Sequence, residues 1–300
     1  MQLQQTLKKN YSFEGKGLHT GRVAKMTVCP APADFGIRFV RTDISPDAVV
    51  EALAENVSNT ARSTTISKGE ASVSTIEHIM SALTGMGVDN ALIEIDNIEV
   101  PILDGSAKPY IEAIWKDGFV QQDAPRKYIE IKETVELTNE NGSLVRIEPA
   151  EDFSYNILVD FNSRVLGVQN AVWNADVNYT EEVGICRTFV FFHEIEFLFN
   201  NGLVKGGDVD NAIVIVEHPV TDEQVNRMSQ LFNIPALTVR EDGYLSNLTL
   251  RFPNECARHK LLDLIGDLRL AGGFLKAKVT AEKAGHGINT EAARKIRENL

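Results

Sequence analysis

Apolar positions recur along this chain in two rhythms. Residues 22–30, RVAKMTVCP, alternate apolar and polar side chains, the period of a strand with one buried face. Residues 76–83, IEHIMSAL, repeat at helical spacing, with Ser74 or Thr75 placed to cap that helix and Gly85 to end it. Gly87 then opens an apolar strand, DNALIEI, and the loop ILDGSAKP after Pro101 leads into a second helix, PYIEAIWKDG, stopping at Gly118.

Residues 121–126, QQDAPR, are polar and contain Pro125, so a domain boundary is expected there, dividing the chain into residues 1–122 and 123–300. Strand patterns resume in YIEIKETVEL, SLVRIEP and SYNILVDF, followed by a short apolar run, AIVIV, at 212–216. Helical patterns cover 221–233 and 254–270; the strand FLKAKVTAE and a polar helix close the chain. The segments beginning at His78 and at His259 echo one another. In each, a glycine falls seven residues after the histidine and a helix gives way to a strand. That echo suggests two related α+β units, each offering a histidine from the start of a helix. By itself it is no stronger than coincidence, because helix–glycine–strand is common grammar.

Composition narrows the function classes. The 300 residues are enough for two cores, and no apolar run is long enough for a spanning helix. Acidic residues outnumber basic ones by 42 to 30, a net charge of −12, and no basic stripe offsets it, so nucleic acid is not an expected partner. Cys29, Cys186 and Cys256 form no CxxC pair, which argues against a disulfide framework and for a reducing cytoplasm. The polar N-terminus carries no apolar signal core.

The histidines carry the candidate chemistry. His259 and Asp263 are four apart on a helix and share one face, so imidazole and carboxylate can grip one cation; Asp267 continues that face. A solvated i,i+4 pair would look the same, but the surrounding Leu261, Leu262, Leu264, Ile265 and Leu268 make the helix apolar around much of its circumference. Glu77 and His78 are adjacent, about 100° apart on a helix, and can serve one site only if a metal sits between elements. His286, between Gly285 and Gly287, suits a tight loop with the ring in a cleft, and His19 in GKGLHTG has the same glycine-flanked look. No GxSxG, Walker A, HExxH or dinucleotide-binding glycine pattern competes.

In collinear order the chain carries GKGLHTG at 15–21, STIEH at 74–78, GVDNALIEI at 87–95, PILDGSA at 101–107 and CRTF at 186–189. GLVKGGDVDNAIV at 202–214, RHKLLDLIGDL at 258–268 and GHGIN at 285–289 complete the series. It closely resembles the zinc-dependent UDP-3-O-acyl-N-acetylglucosamine deacetylases, which catalyse the committed step of lipid A synthesis. The resemblance implies two related layered α+β domains, with the site between them. It implies Zn2+ (or Fe2+) on His78, His259 and Asp263, Glu77 as general base, and His286, oriented by Asp267, at the oxyanion or leaving amine. Thr188 matches a hydroxyl near the oxyanion, and Lys260 a group that contacts the acylated UDP-N-acetylglucosamine. Phe161 and Phe189 match aromatic positions near substrate. An insert near 187–207 would form an apolar passage for the acyl chain, lined by Ile195, Leu198, Val204 and Gly207.

The resemblance also implies a cytoplasmic monomer. Two departures stand out. The stretch between Val216 and Arg251 is longer than the family's simplest form needs, and the chain stops at Leu300 directly after EAARKIRENL. Some members are fused to a hydroxyacyl-carrier-protein dehydratase, and this chain could be the deacetylase part of such a fusion. The competing readings are a zinc hydrolase of another acylated sugar nucleotide and a non-catalytic sugar-nucleotide or lipid-binding module.

Overall fold

A computed structural model describes residues 2–299. The alternation in RVAKMTVCP becomes the strand Val23–Pro30, which buries Ala24, Met26 and Val28 and leaves Val23 and Lys25 exposed. It pairs antiparallel with Tyr11–Lys16 on one side and with Ala91–Ile95 on the other. Ala91–Ile95 runs parallel to Ile37–Arg41, which pairs antiparallel with Val49–Glu51 at the far edge.

The second half repeats this plan. Val135–Thr138 and Leu144–Pro149 form the opening antiparallel pair. Phe274–Glu282 lies antiparallel to Leu144–Pro149 and parallel to Ser154–Asp160, beyond which comes Val168–Asn174. Numbered within its own half, each path runs first, second, fifth, third, fourth. In each half the central fifth strand follows a helix, Glu77–Gly85 in one and Glu255–Leu268 in the other. A further helix follows each central strand, Lys108–Ile114 and His286–Glu298 respectively. Both halves also carry an insertion between the fourth strand and that helix. In the first it is the three-stranded sheet Val57–Asn59, Thr65–Lys68 and Ala71–Val73. In the second it is the parallel pair Phe189–Phe191 and Ile213–Ile215 with the helices Phe192–Asn200 and Asp222–Phe232. The echo noted between the His78 and His259 segments is thus one step of a repeated topology, and the α+β class holds.

The helices Glu77–Gly85 and Glu255–Leu268 pack on each other inside one core cluster drawn from both halves, with Ile79 and Leu83 facing a region that also holds Leu261 and Ile265. Their close approach depends on Gly266. A Cβ there would lie 2.1 Å from the Glu77 carbonyl oxygen and 3.1 Å from the Ser81 nitrogen. A side chain at that position would force the helices apart.

The polar QQDAPR segment lies largely in the strand Phe119–Pro125, antiparallel to Leu3–Leu7, and two local expectations change. A two-stranded ribbon leaves most of its side chains in water, so polar residues suit it. Neither Ser74 nor Thr75 caps the first helix, which begins after Ile76; Thr75 adopts a φ of 59° and its hydroxyl donates to Glu99 instead. His286 does not project from a tight loop. It is the first residue of its helix, with Gly285 in extended conformation as the cap.

Candidate active site

The two packed helices bring His78, His259 and Asp263 together, with one ligand-capable atom of each within 4.8 Å of the others. Asp263 Oδ1 lies 3.7 Å from His78 Nε2 and 3.4 Å from His259 Nε2. Three ligands each about 2 Å from a tetrahedral ion sit roughly 3.3 Å apart, so these separations match such a set. The rings of His78 and His259 stand edge to face, their centroids 5.0 Å apart.

The donor set also fits a cation chemically. His259 Nδ1–H donates to the Cys186 carbonyl at 3.0 Å, which fixes the tautomer and leaves Nε2 as a lone pair toward the centre. Burial pushes His78 down to about 3, with His259 adding to the effect, and burial likewise lowers His259, so both rings are neutral donors. Burial works against the Asp263 anion, but Lys260 beside it, with His286, holds that carboxyl well below the usual range. Asp263 Oδ2 accepts from Lys260 Nζ at 2.9 Å, whereas Oδ1 is buried without a hydrogen-bond partner. A buried anionic oxygen without a donor is costly, and a divalent cation between it and two neutral imidazoles removes that cost.

Beside this centre stand a carboxyl group and a further imidazole, Glu77 and His286. Glu77 opens the first helix, where a carboxylate faces the positive end of the helix dipole. Its Oε2 accepts the Thr64 N–H at 3.0 Å and its Oε1 lies 3.9 Å from His286 Nε2. Burial lifts the Glu77 carboxyl to about 8, the Asp263 and Asp267 charges adding to it and His286 opposing it; a dication nearby would pull it back down. Burial disfavours a charged His286, yet the charges of Asp267 and Glu77 and the hydrogen bond that His286 donates to Asp267 raise it to about 9. Asp267 is fully committed: Oδ2 accepts from His286 Nδ1 at 2.9 Å and from Asn289 Nδ2 at 3.0 Å, while Oδ1 accepts from the Thr64 hydroxyl at 2.6 Å. His286 Nε2 is thereby turned toward Glu77 and Asp263.

These groups line a cleft of about 1320 Å³ open to solvent, shared with Thr188, Lys260, Phe161 and Phe189. Phe161 is 44% exposed at its edge and packs edge-on against Phe189, 5.5 Å between centroids. A second, mostly apolar cavity adjoins the cleft, sharing Leu18, His19, Arg62, Thr188, Phe189 and Val190 with it. Ile195, Leu198, Val204 and Gly207 all line this second cavity.

Over residues 4–233 and 229–298 the chain matches the family described as LpxC: UDP-3-O-acyl N-acetylglycosamine deacetylase. The chain belongs to this family. A bifunctional enzyme LpxC/FabZ from Porphyromonas gingivalis is 43% identical over 100% of this chain and 65% of its own length. One of the same name from Bacteroides thetaiotaomicron is 42% identical over 99% of this chain and again 65% of its own. A UDP-3-O-acyl-N-acetylglucosamine deacetylase from Cellvibrio japonicus is 40% identical over 98% of this chain and 90% of its own. The chain therefore spans about two thirds of the bifunctional relatives. No helix among the described residues is long and apolar enough to cross a membrane.

In this LpxC-family site sequence reasoning missed Thr64 and noted His19 without giving it a role. Thr64 holds Glu77 through its backbone and Asp267 through its hydroxyl, yet a threonine in ARSTTIS gives no local signal. His19 stands where cleft and apolar cavity meet, both ring nitrogens buried and without partners. Its loop is tied down by Glu99, which accepts from the backbone of His19 and Thr20 at 2.8 Å each. The chain at 205–206 clamps the same loop, Lys205 N and Gly206 N donating to the carbonyls of His19 and Leu18. The flanking glycines in both segments were the available signal, since a Cβ at Gly206 would lie 2.1 Å from the Gly17 carbonyl oxygen.

Proposed function

We propose that this chain hydrolyses the N-acetyl amide of UDP-3-O-acyl-N-acetylglucosamine, releasing acetate, with zinc held by His78, His259 and Asp263. The observation that carries the reading is the orphaned Asp263 Oδ1 between two neutral imidazoles, with Glu77 and His286 3.9 Å apart beside it. A zinc ion there supplies Lewis-acid charge that polarises a carbonyl and eases deprotonation of water. Glu77 takes the proton from the attacking water. His286, oriented through Nδ1 by Asp267, presents Nε2–H to the tetrahedral oxyanion and then to the departing amine, and the Thr188 hydroxyl assists at the oxyanion. Lys260 and Phe161 at the cleft contact the nucleotide sugar, while the acyl chain threads past Phe189 into the cavity of Ile195, Leu198, Val204 and Gly207.

Two units meeting near residue 122, a monomeric state and a cytoplasmic location belong to the same proposal. Supporting the division is the repeated strand order of the two halves. The test is acetate release combined with metal analysis. Acetate is expected from the 3-O-acylated UDP-sugar and not from unacylated UDP-N-acetylglucosamine, with about one zinc per chain. Equal release from both substrates would overturn the acyl requirement, and no release from either would overturn the activity.

A further inference from the structure

The segment between Val216 and Arg251 is a built part of the apolar cavity. It contributes the helix Asp222–Phe232, closed at its start by a reciprocal Thr221–Gln224 capping box and at its end by Asn233 in left-handed conformation. Val225 and Met228, three apart on one face, turn inward and join Ile195, Val214, Val216 and Leu245 in a cluster separate from the main core. Phe232 lies over Gly207 so closely that a Cβ on the glycine would sit 3.0 Å from its ring. Arg227 reaches Glu196 on the neighbouring helix at 2.5 Å, on the outer side of the same contact.

Beyond this wall lies another cavity, about 1150 Å³ and open to solvent, edged by His193, His218, Arg227 and Leu231. The apolar cavity and this outer one share two lining residues, Ile195 and Met228. Both are buried, at 5% and 8% exposure. One side chain from each helix therefore stands between the apolar cavity and the outer one that opens to solvent.

Resting on the acyl-sugar reading above, we propose that Met228, with Ile195 facing it, is the end wall of the acyl passage and sets the longest acyl chain accepted. A chain that reaches the wall gains contact with each added methylene; the first methylene past it must displace a buried side chain. An unbranched thioether swings aside more readily than a branched residue, so the limit is graded rather than abrupt. Shortening Met228 opens the passage into the outer cavity and lets a longer chain run through.

The experiment measures kcat/KM for a series of 3-O-acyl UDP-N-acetylglucosamines rising by two methylenes, with the wild-type protein and with Met228→Ala, Met228→Leu and Ile195→Val. The readout is the ratio of kcat/KM for the first disfavoured length to that for the optimum, which does not depend on how much of a preparation is folded. Met228→Ala is expected to raise this ratio about tenfold or more, the scale of one or two methylenes in an apolar pocket. Ile195→Val, a mild change, should move it the same way by less, and Met228→Leu should leave it near wild type. An unchanged ratio in both Met228→Ala and Ile195→Val, with acetate release intact, overturns the end wall. Failure of the wild-type protein to release acetate from every member of the series instead overturns the functional reading.

Discussion

The helices Glu77–Gly85 and Glu255–Leu268 occupy the same step of the same topology, and they furnish the site in different ways. The first is 9 residues long and works from its opening turn, where Glu77 and His78 are neighbours. The second is 14 residues long and works from a ladder, His259, Asp263 and Asp267, at one residue per turn. Neighbours on a helix diverge by about 100°, so Glu77 and His78 serve one centre only because another helix lies against them. A ladder needs no such help to align its members. The comparison teaches that a repeated scaffold sets where functional groups start, while packing between the copies decides what they can do together.

The largest expected effect divides the two helices by chemistry. Asp263→Ala removes the anion that neutralises the centre, so metal content should fall toward zero and turnover with it, read by metal analysis and acetate release. In the proposed reaction Glu77→Ala removes the proton acceptor and no ligand. It should keep its metal and lose about 10²- to 10⁴-fold in kcat, the usual worth of general acid–base catalysis. Loss of metal in the Glu77 variant, or retention of it in the Asp263 variant, would break the division of labour.

A smaller effect tests the ladder's last rung. Asp267→Asn keeps the shape but weakens the hold on His286 Nδ1, and about 10- to 100-fold of activity should go while the metal stays. Thr64→Val, which removes the 2.6 Å hydroxyl bond to Asp267 but keeps the backbone bond to Glu77, should cost less than Asp267→Asn. Thr64→Ser should restore activity. A Thr64→Val enzyme as poor as Asp267→Asn would mean that the backbone contact to Glu77 was disturbed as well.

Much of this was readable in the sequence, and the ladder explains which part. His259 and Asp263 announce themselves because an i,i+4 spacing is a local pattern, and alternation in Val23–Pro30 and Ser154–Asp160 gave the strands. Glu77 and His78 carry no such pattern, because their meaning depends on helices distant in the chain: Asp263 meets His78, and His286 meets Glu77, only through packing. The repeated topology was half visible: the glycine echo was real, but the strand order that confirms it is a matter of long-range pairing. Thr64, the placement of His19 and the inward face of Asp222–Phe232 stayed hidden for the same reason, since each acquires its role from elements distant in sequence. The missing Ser74 and Thr75 cap has a different cause. Glu99, itself buried, claims the Thr75 hydroxyl along with the His19 loop, and tertiary demand overrides local capping preference.

The smallest effect is one of stability, and it sharpens the comparison most directly. Gly85 and Gly266 stand seven residues after His78 and His259 respectively, yet Gly85 ends its helix whereas Gly266 lies inside one. An added Cβ at Gly266 meets backbone, 2.1 Å from the Glu77 carbonyl oxygen, and backbone on a packed helix cannot step aside alone. At Gly85 it meets the ring of Tyr179 at a similar 2.1 Å, a buried side chain anchored by a 2.7 Å hydrogen bond to Ser81. Rotation alone does not relieve a contact that includes the ring's Cγ at 2.3 Å, but a single side chain can shift where a packed helix backbone cannot. Gly266→Ala should therefore cost about 3 kcal/mol and Gly85→Ala about 1 kcal/mol, the upper and lower ends of what overpacking a core does. Chemical denaturation of both variants checks the order. Because Gly266 touches the very turn that carries Glu77 and His78, its variant should also lose activity at temperatures where it is still folded, and Gly85→Ala should not. Equal costs and unaffected activity in both would mean that the two helices are not held in register by the glycine contact, and that the site's geometry is set by the sheets behind them.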